Sequence, residues 1–376
     1  MFKRFAAGLT LCLALGPAAP GTAREADLSG STGISSSNVE WVTTIPLEAG
    51  TWSGARIVDE HLYVAGSKSF SIYDVSDPES PQLLSVTPIG FQFVNEDVDT
   101  NGEIMLLSDD RVQKKFHVWD VSNPAGPVKL AEMAEMPDHT FACVLDCSWA
   151  YGAGGSIIDL EDPSNPRSAG RWHEAMPGLW GFDTFEVKPG VVITASQTMY
   201  LLDGRRDPAK PKVMARGVGP DRRFLHSIRW PNQGRDKFIL VQGEQNLRPQ
   251  CDDSAGHFMT YDASRIRRTH TFSMIDQFRV TGTGSYVDGN PPANAVGCSP
   301  SWFQEHPSFR DGGLVVSSFF EHGTRILEVD PRGEISEVGH FTPLGGITTA
   351  SYWASDEIIY SIDLTHGIDV LRYTGD

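Results

Sequence analysis

The sequence predicts an all-β fold, a seven-bladed β-propeller whose ring is closed by an N-terminal strand. The first observation is a phrase close to Tyr-Asp-Val-Ser-Asp-Pro that recurs about once every forty-odd residues. The second is a constant order around each copy: an apolar strand, a second strand ending in Asp, a turn with Pro, and a third strand. A fixed period of this length is typical of a repeat architecture. The copies are Tyr73–Pro78, Trp119–Pro124, Ile158–Pro163, Leu202–Pro208, Tyr261–Ser264, Glu328–Pro331 and Ile368–Leu371.

The predicted strands are short runs rich in β-branched and aromatic residues, bounded by Gly, Pro, Asp and Asn. Their near-continuous apolarity favours sheets packed on both faces, as stacked blades are. In chain order they are Ala55–Val58, His61–Gly66 and Ser69–Asp74; Ile104–Ser108 and Phe116–Asp120; Cys147–Gly152 and Ser156–Asp159; Val191–Ala195 and Met199–Asp203; Phe238–Gly243 and His257–Asp262; Leu314–Ser318 and Arg325–Val329; Ile358–Ile362 and Ile368–Tyr373.

The third observation concerns the two ends of the repeat. The seventh unit stops after its third strand, where an uncovered edge would favour aggregation. Val39–Leu47 matches outer strands such as Leu83–Val86, so we expect it to supply the missing outer strand. Residues 24–38 are rich in Ser and Gly without a core-forming pattern, which predicts a flexible leader. Residues 39–376 are then a single propeller domain.

The first 23 residues are typical of a signal peptide. Lys3 and Arg4 form a positive start, Phe5–Leu15 is apolar but too short to span a bilayer, and Gly21–Ala23 offers small residues for cleavage. The alternative is an N-terminal core helix. We therefore expect an exported protein, periplasmic or secreted, with no transmembrane segment.

The chain has a formal net charge of −17. Such a surface repels phosphate backbones and anionic lipid head groups, so nucleic acid is not an expected partner. We expect a monomer.

Four cysteines remain after the predicted signal peptide. In an oxidising compartment an even number predicts disulfides, and four cysteines allow three pairings. We favour Cys143–Cys147, a local bridge across a bent strand, and Cys251–Cys298, which would close a large loop between two irregular segments. The alternative is that some of these thiolates bind a metal, although no C-x-x-C pair occurs.

Candidate site residues follow from propeller geometry, because the innermost strand of every blade begins at one mouth of the central channel. Imidazoles and carboxylates expected near that mouth suit copper, zinc or iron. The predicted metal ligands are His139, His226, Glu244, Glu321 and His322. The predicted ligand-pocket residues are Asn95, Phe182, Trp302, Asp363 and His366.

Each of these residues also has a purely structural interpretation. A His or Asp at a strand end often satisfies backbone donors in a turn, and aromatic residues commonly fill the space between blades. The repeated aspartates are predicted turn-formers rather than site residues. They are Asp74, Asp120, Asp159, Asp203, Asp262 and Asp369.

Several phrases resemble the LVIVD-repeat family of exported β-propeller proteins. They include Ser71–Val75, Gly367–Leu371, His139–Cys143 and Glu321–Arg325. The resemblance covers nearly all of the chain after the signal peptide and implies the fold, but most of the family has no assigned activity. Two positions where relatives tend to carry His are Leu225 and Ser301 here, which weakens a metal site inferred from the family. A more distant architectural likeness to the selenium-binding, methanethiol-oxidase propellers is analogy only.

Two segments interrupt the period, 245–256 and 281–300, and long loops in a compact repeat are commonly functional. The sequence has no G-x-S-x-G elbow, P-loop, dinucleotide fingerprint or H-E-x-x-H motif. The leading interpretation is an exported binding or scaffold propeller that holds a small molecule or protein partner at the channel mouth. The alternative is a metal-dependent enzyme, such as an oxidoreductase, with a His/Glu site there.

Overall fold

Seven antiparallel sheets follow one another along the chain and form the blades of a β-propeller, as predicted. The computed structural model describes residues 33–46, 54–89, 98–109, 114–136, 138–172, 181–219, 224–244, 251, 256–282, 284–285 and 295–375, without the side chains of Asp109 and Glu244. Within these residues, no helix is long and apolar enough to cross a membrane.

The described chain begins with two strands that belong to the last two blades, β1 (Gly33–Ser35) and β2 (Val39–Ile45). Blades one to five then contain four consecutive strands each. Blade one holds β3 (Ala55–Val58), β4 (His61–Ala65), β5 (Ser69–Asp74) and β6 (Gln82–Pro88). Blade two holds β7 (Asp99–Thr100), β8 (Ile104–Asp109), β9 (Lys115–Asp120) and β10 (Val128–Ala134). Blade three holds β11 (Phe141–Val144), β12 (Trp149–Gly152), β13 (Ser156–Asp159) and β14 (Arg167–Arg171).

The remaining blades follow the same order from the inner to the outer strand. Blade four holds β15 (Gly181–Lys188), β16 (Val191–Ser196), β17 (Thr198–Asp203) and β18 (Lys212–Val218). Blade five holds β19 (Phe224–Arg229), β20 (Phe238–Glu244), β21 (His257–Asp262) and β22 (Ser273–Phe278), with the short helices α1 (Pro231–Gly234) and α2 (Ile266–Thr269). Blade six holds β23 (Phe303–Glu305), β24 (Gly313–Ser318), β25 (Thr324–Val329) and β26 (Ile335–Pro343). Blade seven holds β27 (Thr348–Trp353), β28 (Ile358–Asp363) and β29 (Gly367–Tyr373).

The ring closes through the N-terminal strand, as the sequence predicts. β2 pairs antiparallel with β29, with Val39 opposite Tyr373 and Ile45 opposite Ile368. Blade seven is thus completed by a strand from the other end of the chain, and the edge of β29 is covered. The predicted end of this strand, Leu47, lies outside the described residues.

Part of the predicted flexible leader instead belongs to the fold. β1 pairs with β26, placing Gly33 opposite Pro343, and adds a fifth strand to blade six. Asn38, between β1 and β2, donates from Nδ2 to the carbonyl of Val338 at 2.9 Å. A three-residue strand shows no pattern in the sequence, and it forms here because the outer edge of blade six offers it backbone partners. Residues 24–32 lie outside the described chain.

The core is divided among the interfaces between blades. The buried apolar residues of the described chain form seven clusters, and each cluster combines strands of two neighbouring blades. Polar contacts join the blades as well: the Tyr151 hydroxyl donates to the carbonyl of Pro208 at 2.6 Å, and Tyr360 donates to Pro78 at 2.9 Å. The Pro of the repeated phrase therefore supplies an acceptor to the preceding blade.

The repeated aspartates form turns at five of the six predicted positions. In each, the carboxylate accepts the backbone N–H two residues later, the geometry that starts a turn. The pairs are Asp74–Ser76, Asp120–Ser122, Asp159–Glu161, Asp203–Arg205 and Asp262–Ser264. The prediction is wrong for Asp369, which lies inside β29. No hairpin turn follows β29, because its outer neighbour comes from the N-terminus.

Candidate functional site

Four ring-bearing side chains from consecutive blades contact one another near the start of the inner strands, and we call them the ring arc. His139 precedes β11, Phe182 lies in β15, His226 lies in β19, and Trp302 precedes β23. Ring centroids are 4.6 Å apart between the first two, 5.0 Å between the second and third, and 4.8 Å between the last two. The structure therefore brings together four residues that the sequence places at this mouth.

The ring arc is tightly packed. His226 and Trp302 are each 1% exposed, and His139 is also buried. Phe182 is half-buried and meets the ring of Phe224 edge-on at 4.3 Å. Edge-to-face contacts of this kind stabilise by about 0.5–1.5 kcal/mol each beyond burial. A ligand that reaches this level would meet Phe182, the most accessible member, first.

Both predicted disulfides are present. Cys143 and Cys147 are joined with their Cα atoms 4.3 Å apart, and Cys251 and Cys298 with theirs 5.5 Å apart. The second bridge spans 47 residues of sequence and links the two long segments that interrupt the repeat. Two disulfides are typical of proteins outside the cytoplasm.

Glu321 holds one of these long segments rather than facing the ring arc. Its carboxylate accepts the backbone N–H groups of Val296 and Gly297, the latter at 2.6 Å. Its own carbonyl accepts the N–H of Ser285 at 2.6 Å. The β24–β25 turn, which carries Glu321, therefore fixes the segment at two points, at Ser285 and just before Cys298.

His322, the next residue, lies against the long-range disulfide. Its Nε2 is 2.9 Å from Sγ of Cys251, and its Nδ1 is 3.5 Å from a guanidinium nitrogen of Arg325. Burial, and then the charge of Arg325, lower the pKa of His322 to about 4, so the imidazole is neutral near pH 7.

The four predicted metal ligands whose side chains the structure describes therefore do not form one cluster. Among the described side chains, the group of three donors within metal-binding reach is Cys251, Cys298 and His322, with ligand atoms within 4.8 Å of one another. Both sulfurs of that group are joined in the disulfide. His139 and His226 instead lie on either side of Phe182.

Asp363 shapes the turn between β28 and β29. Its carboxylate accepts the backbone N–H groups of Thr365 at 2.8 Å and His366 at 3.0 Å, and the hydroxyl of Thr348 at 3.2 Å. His366 is half-buried beside it. Asn95 and the side chain of Glu244 lie outside the described part of the chain.

A cavity of about 350 Å³ lies near the other end of the inner strands, and we call it the arginine pocket. Arg56 and Arg229 enter it from β3 and β19, with the ring of Phe185 between them. The Arg229 guanidinium is 4.5 Å from the centre of that ring and the Arg56 guanidinium is 5.8 Å from it. Glu305, the last residue of β23, also lines the cavity.

The arginine pocket was not predicted from the sequence. Its signal is a charged residue inside an otherwise apolar inner strand, as Arg56 is in Ala55–Val58. Arg229 and Glu305 end their inner strands in the same way.

Comparisons with known proteins agree with the fold. The model of the LVIVD repeat matches residues 53–86, which cover blade one except for its last two residues, and confirms the predicted resemblance. No curated protein matches the chain. The chain is similar to two solved structures, described as "Structure of U3-55K" and "Crystal structure of RRP9 WD40 repeats". Each has a TM-score of 0.57 and 10% identity over 89% of this chain and 97% of the other. At that identity the likeness is one of propeller fold alone.

Proposed function

We propose that the protein is an exported binding propeller that holds a ligand or partner at the mouth carrying the ring arc and the two long segments. The predicted signal peptide and the two disulfides support export. The absence of established catalytic sequence motifs and the acidic composition support binding rather than catalysis.

The observation that carries this proposal is the joint anchoring of the two long segments. The Cys251–Cys298 bridge ties them together, and the turn that holds Glu321 and His322 contacts both, through Gly297 and Cys251. Covalent and carboxylate anchors reduce the conformational entropy that a loop loses when it closes on a ligand. Loops fixed in this way on a rigid ring are a common form of binding site.

A thermal-shift screen of wild-type protein tests the proposal, with a panel of small metabolites and with Cu²⁺, Zn²⁺ and Fe²⁺ as probes. We expect a stabilising compound whose effect is lost in Cys251→Ser/Cys298→Ser and weakened in Phe182→Leu. The matched control is Cys143→Ser/Cys147→Ser, which removes the other bridge and should keep the effect. A panel without any stabilising compound, or an effect that follows the control bridge, would overturn the proposal.

Metal analysis of protein purified without an affinity tag tests the enzyme alternative. The two imidazoles of the ring arc, His139 and His226, are the observation on which that alternative rests. Stoichiometric copper, zinc or iron that is lost in His139→Ala would replace the binding proposal with a metal-dependent enzyme. Metal-free protein that still binds a compound from the panel would support the binding propeller.

A further inference from the structure

The arginine pocket has the positive lining that an anion requires, although the chain as a whole is strongly acidic. Three arginines, Arg56, Arg229 and Arg310, line it together with one acidic residue, Glu305. Its volume of about 350 Å³ lies within the range of small-molecule sites.

Two of the arginines each form an ion pair with a buried aspartate. Nη1 of Arg229 is 2.6 Å from Oδ2 of Asp183, and Nη2 of Arg56 is 2.9 Å from Oδ1 of Asp99. Both aspartates are buried and also accept backbone N–H groups, Asp183 that of Ile228 at 2.9 Å and Asp99 that of Cys143 at 2.8 Å. An arginine held on one side loses less conformational entropy when a ligand binds the other.

Four of the residues that line the pocket are aromatic. Phe185 and Phe303 lie within 6 Å of the Arg229 guanidinium, at 4.5 and 5.9 Å from ring centre to guanidinium carbon. Phe309 and Tyr352 also line the pocket. Phe303 and Phe309 are each 1% exposed, so the half-buried ring of Phe185 is the apolar surface that the body of an organic acid can cover.

The arginines outnumber the one carboxylate among the residues that line the pocket, which favours an anionic ligand of low charge. Asp99 and Asp183 offset Arg56 and Arg229 from outside the lining, and the buried carboxylate of Asp236 also acts on Glu305. Burial raises the pKa of Glu305, and its protonated form can donate a hydrogen bond to an anion.

We propose that the arginine pocket is a second binding site, which takes a small organic monocarboxylate. The carboxylate meets Arg56 and Arg229, as guanidinium groups bind carboxylates in planar pairs. The apolar part of the ligand packs against the half-buried ring of Phe185. This site is separate from the mouth that carries the ring arc, since His226 and Arg229 are three residues apart on one strand, or about 10 Å.

Isothermal titration with phenylacetate, and with its neutral amide 2-phenylacetamide, tests the proposal on the full exported protein. We expect phenylacetate to bind and the amide to bind about tenfold more weakly or worse, because charge-assisted hydrogen bonds are lost. Hexanoate serves as an aliphatic probe of the same charge. Equal affinity for acid and amide, or no binding of either acid, would overturn the assignment.

Two pocket variants and two comparison variants locate the binding site. Arg56→Gln and Arg229→Lys should each weaken phenylacetate binding by about tenfold, since lysine keeps the charge opposite Asp183 but loses the planar donor pair. Arg372→Gln, which removes an arginine paired with Glu40 and Glu79 on the outside of blade seven, is the matched control and should bind normally. If Arg229→Lys does not fold, Arg56→Gln decides the outcome. Phenylacetate affinity that neither pocket variant changes would contradict the proposal, and an effect of Phe182→Leu would move the ligand to the ring arc.

Discussion

Asp369 is a buried carboxylate on the strand that closes the ring. It is 0% exposed, and its Oδ1 accepts the hydroxyl of Thr44 from β2. Its Oδ2 has no hydrogen-bond partner within the described residues. Burial, and then the charge of Asp363, raise its pKa to about 6, while the Thr44 hydrogen bond acts in the opposite direction. The charged form is therefore disfavoured in the folded protein.

We predict that Asp369 makes folding stability fall as pH rises from about 4 to 6. An unfolded aspartate has a pKa near 3.9, so between these values the folded state binds more protons than the unfolded state. The loss amounts to about 3 kcal/mol. Asp369→Asn keeps an acceptor for Thr44 and should remove this part of the pH dependence. Urea unfolding at pH 4, 5, 6 and 7 measures it, with the exposed turn residue Asp262→Asn as control. Parallel curves for wild type and Asp369→Asn would contradict the prediction.

Asp369 also shows where sequence patterns stop being informative. The letters Ile-Asp-Val match the repeat, but the strand pairing places Asp369 opposite Ser361, in the middle of the sheet. In β29, Arg372 occupies the position that the repeated aspartate has in other blades. Arg372 pairs with Ile358 in blade seven as Asp74 pairs with His61 in blade one. Strand register is set by turns and buried faces together, and a short phrase does not contain that information.

The Cys143–Cys147 bridge encloses a turn with unusual backbone geometry. Leu145, Asp146 and Cys147 have φ values of 53°, 57° and 55°, which side chains other than glycine adopt at a cost of about 1–2 kcal/mol each. The N–H of Leu145 donates to Glu186 Oε1 at 2.8 Å, and Asn101 donates to Asp146 Oδ1 at 2.9 Å. The predicted strand from Cys147 therefore begins only at Trp149.

We predict that the two bridges differ in what they stabilise. Closing a loop of about five residues contributes about 2 kcal/mol, and one of nearly fifty about 4 kcal/mol. Cys143→Ser/Cys147→Ser should lower the free energy of unfolding by about 2 kcal/mol in a single transition. Mild reduction that opens only Cys251–Cys298 should first increase amide exchange in the loop segments, before the blades melt. Uniform loss of protection across all blades upon that reduction would contradict this order.

The strands were predictable because their burial follows directly from their composition. β5, β17 and β21 match the predicted runs within one residue, since apolar faces on both sides of a blade leave little choice. The ring arc also followed from aligning the starts of the inner strands. The arginine pocket did not, because Arg56 and Arg229 become neighbours only when blades one and five face each other across the channel. β1 did not either, since its three residues depend on an edge far along the chain.

Ring closure depends on the segment 33–45, which joins two blades at once. β1 adds to blade six and β2 to blade seven, and Asn38 between them accepts the N–H of Thr374 at 3.0 Å. Val39 is buried in the cluster between these blades, together with Ile326 and Leu371. Without the segment, the last strand of blade seven would present an open edge, and blade seven would lose the covalent link to blade one that runs from β2 to β3.

Three N-terminal truncations test this closure. A chain that starts at residue 33 keeps both strands and should melt like a chain that starts at residue 24, after the predicted signal peptide. A start at residue 38 removes β1 alone and should lower the free energy of unfolding by about 1–2 kcal/mol, because only three paired strand residues are lost. A start at residue 47 removes β2 as well and should lower the free energy of unfolding by on the order of 5 kcal/mol, a large part of a typical total. It should also favour self-association through the exposed edge. Urea unfolding and size-exclusion chromatography measure both effects.

A peptide of residues 33–46 added in trans should restore part of the lost stability, because the edge of β29 is then covered again. If the chain starting at residue 47 unfolds at the same urea concentration as the chain starting at residue 33, β2 does not hold the ring together.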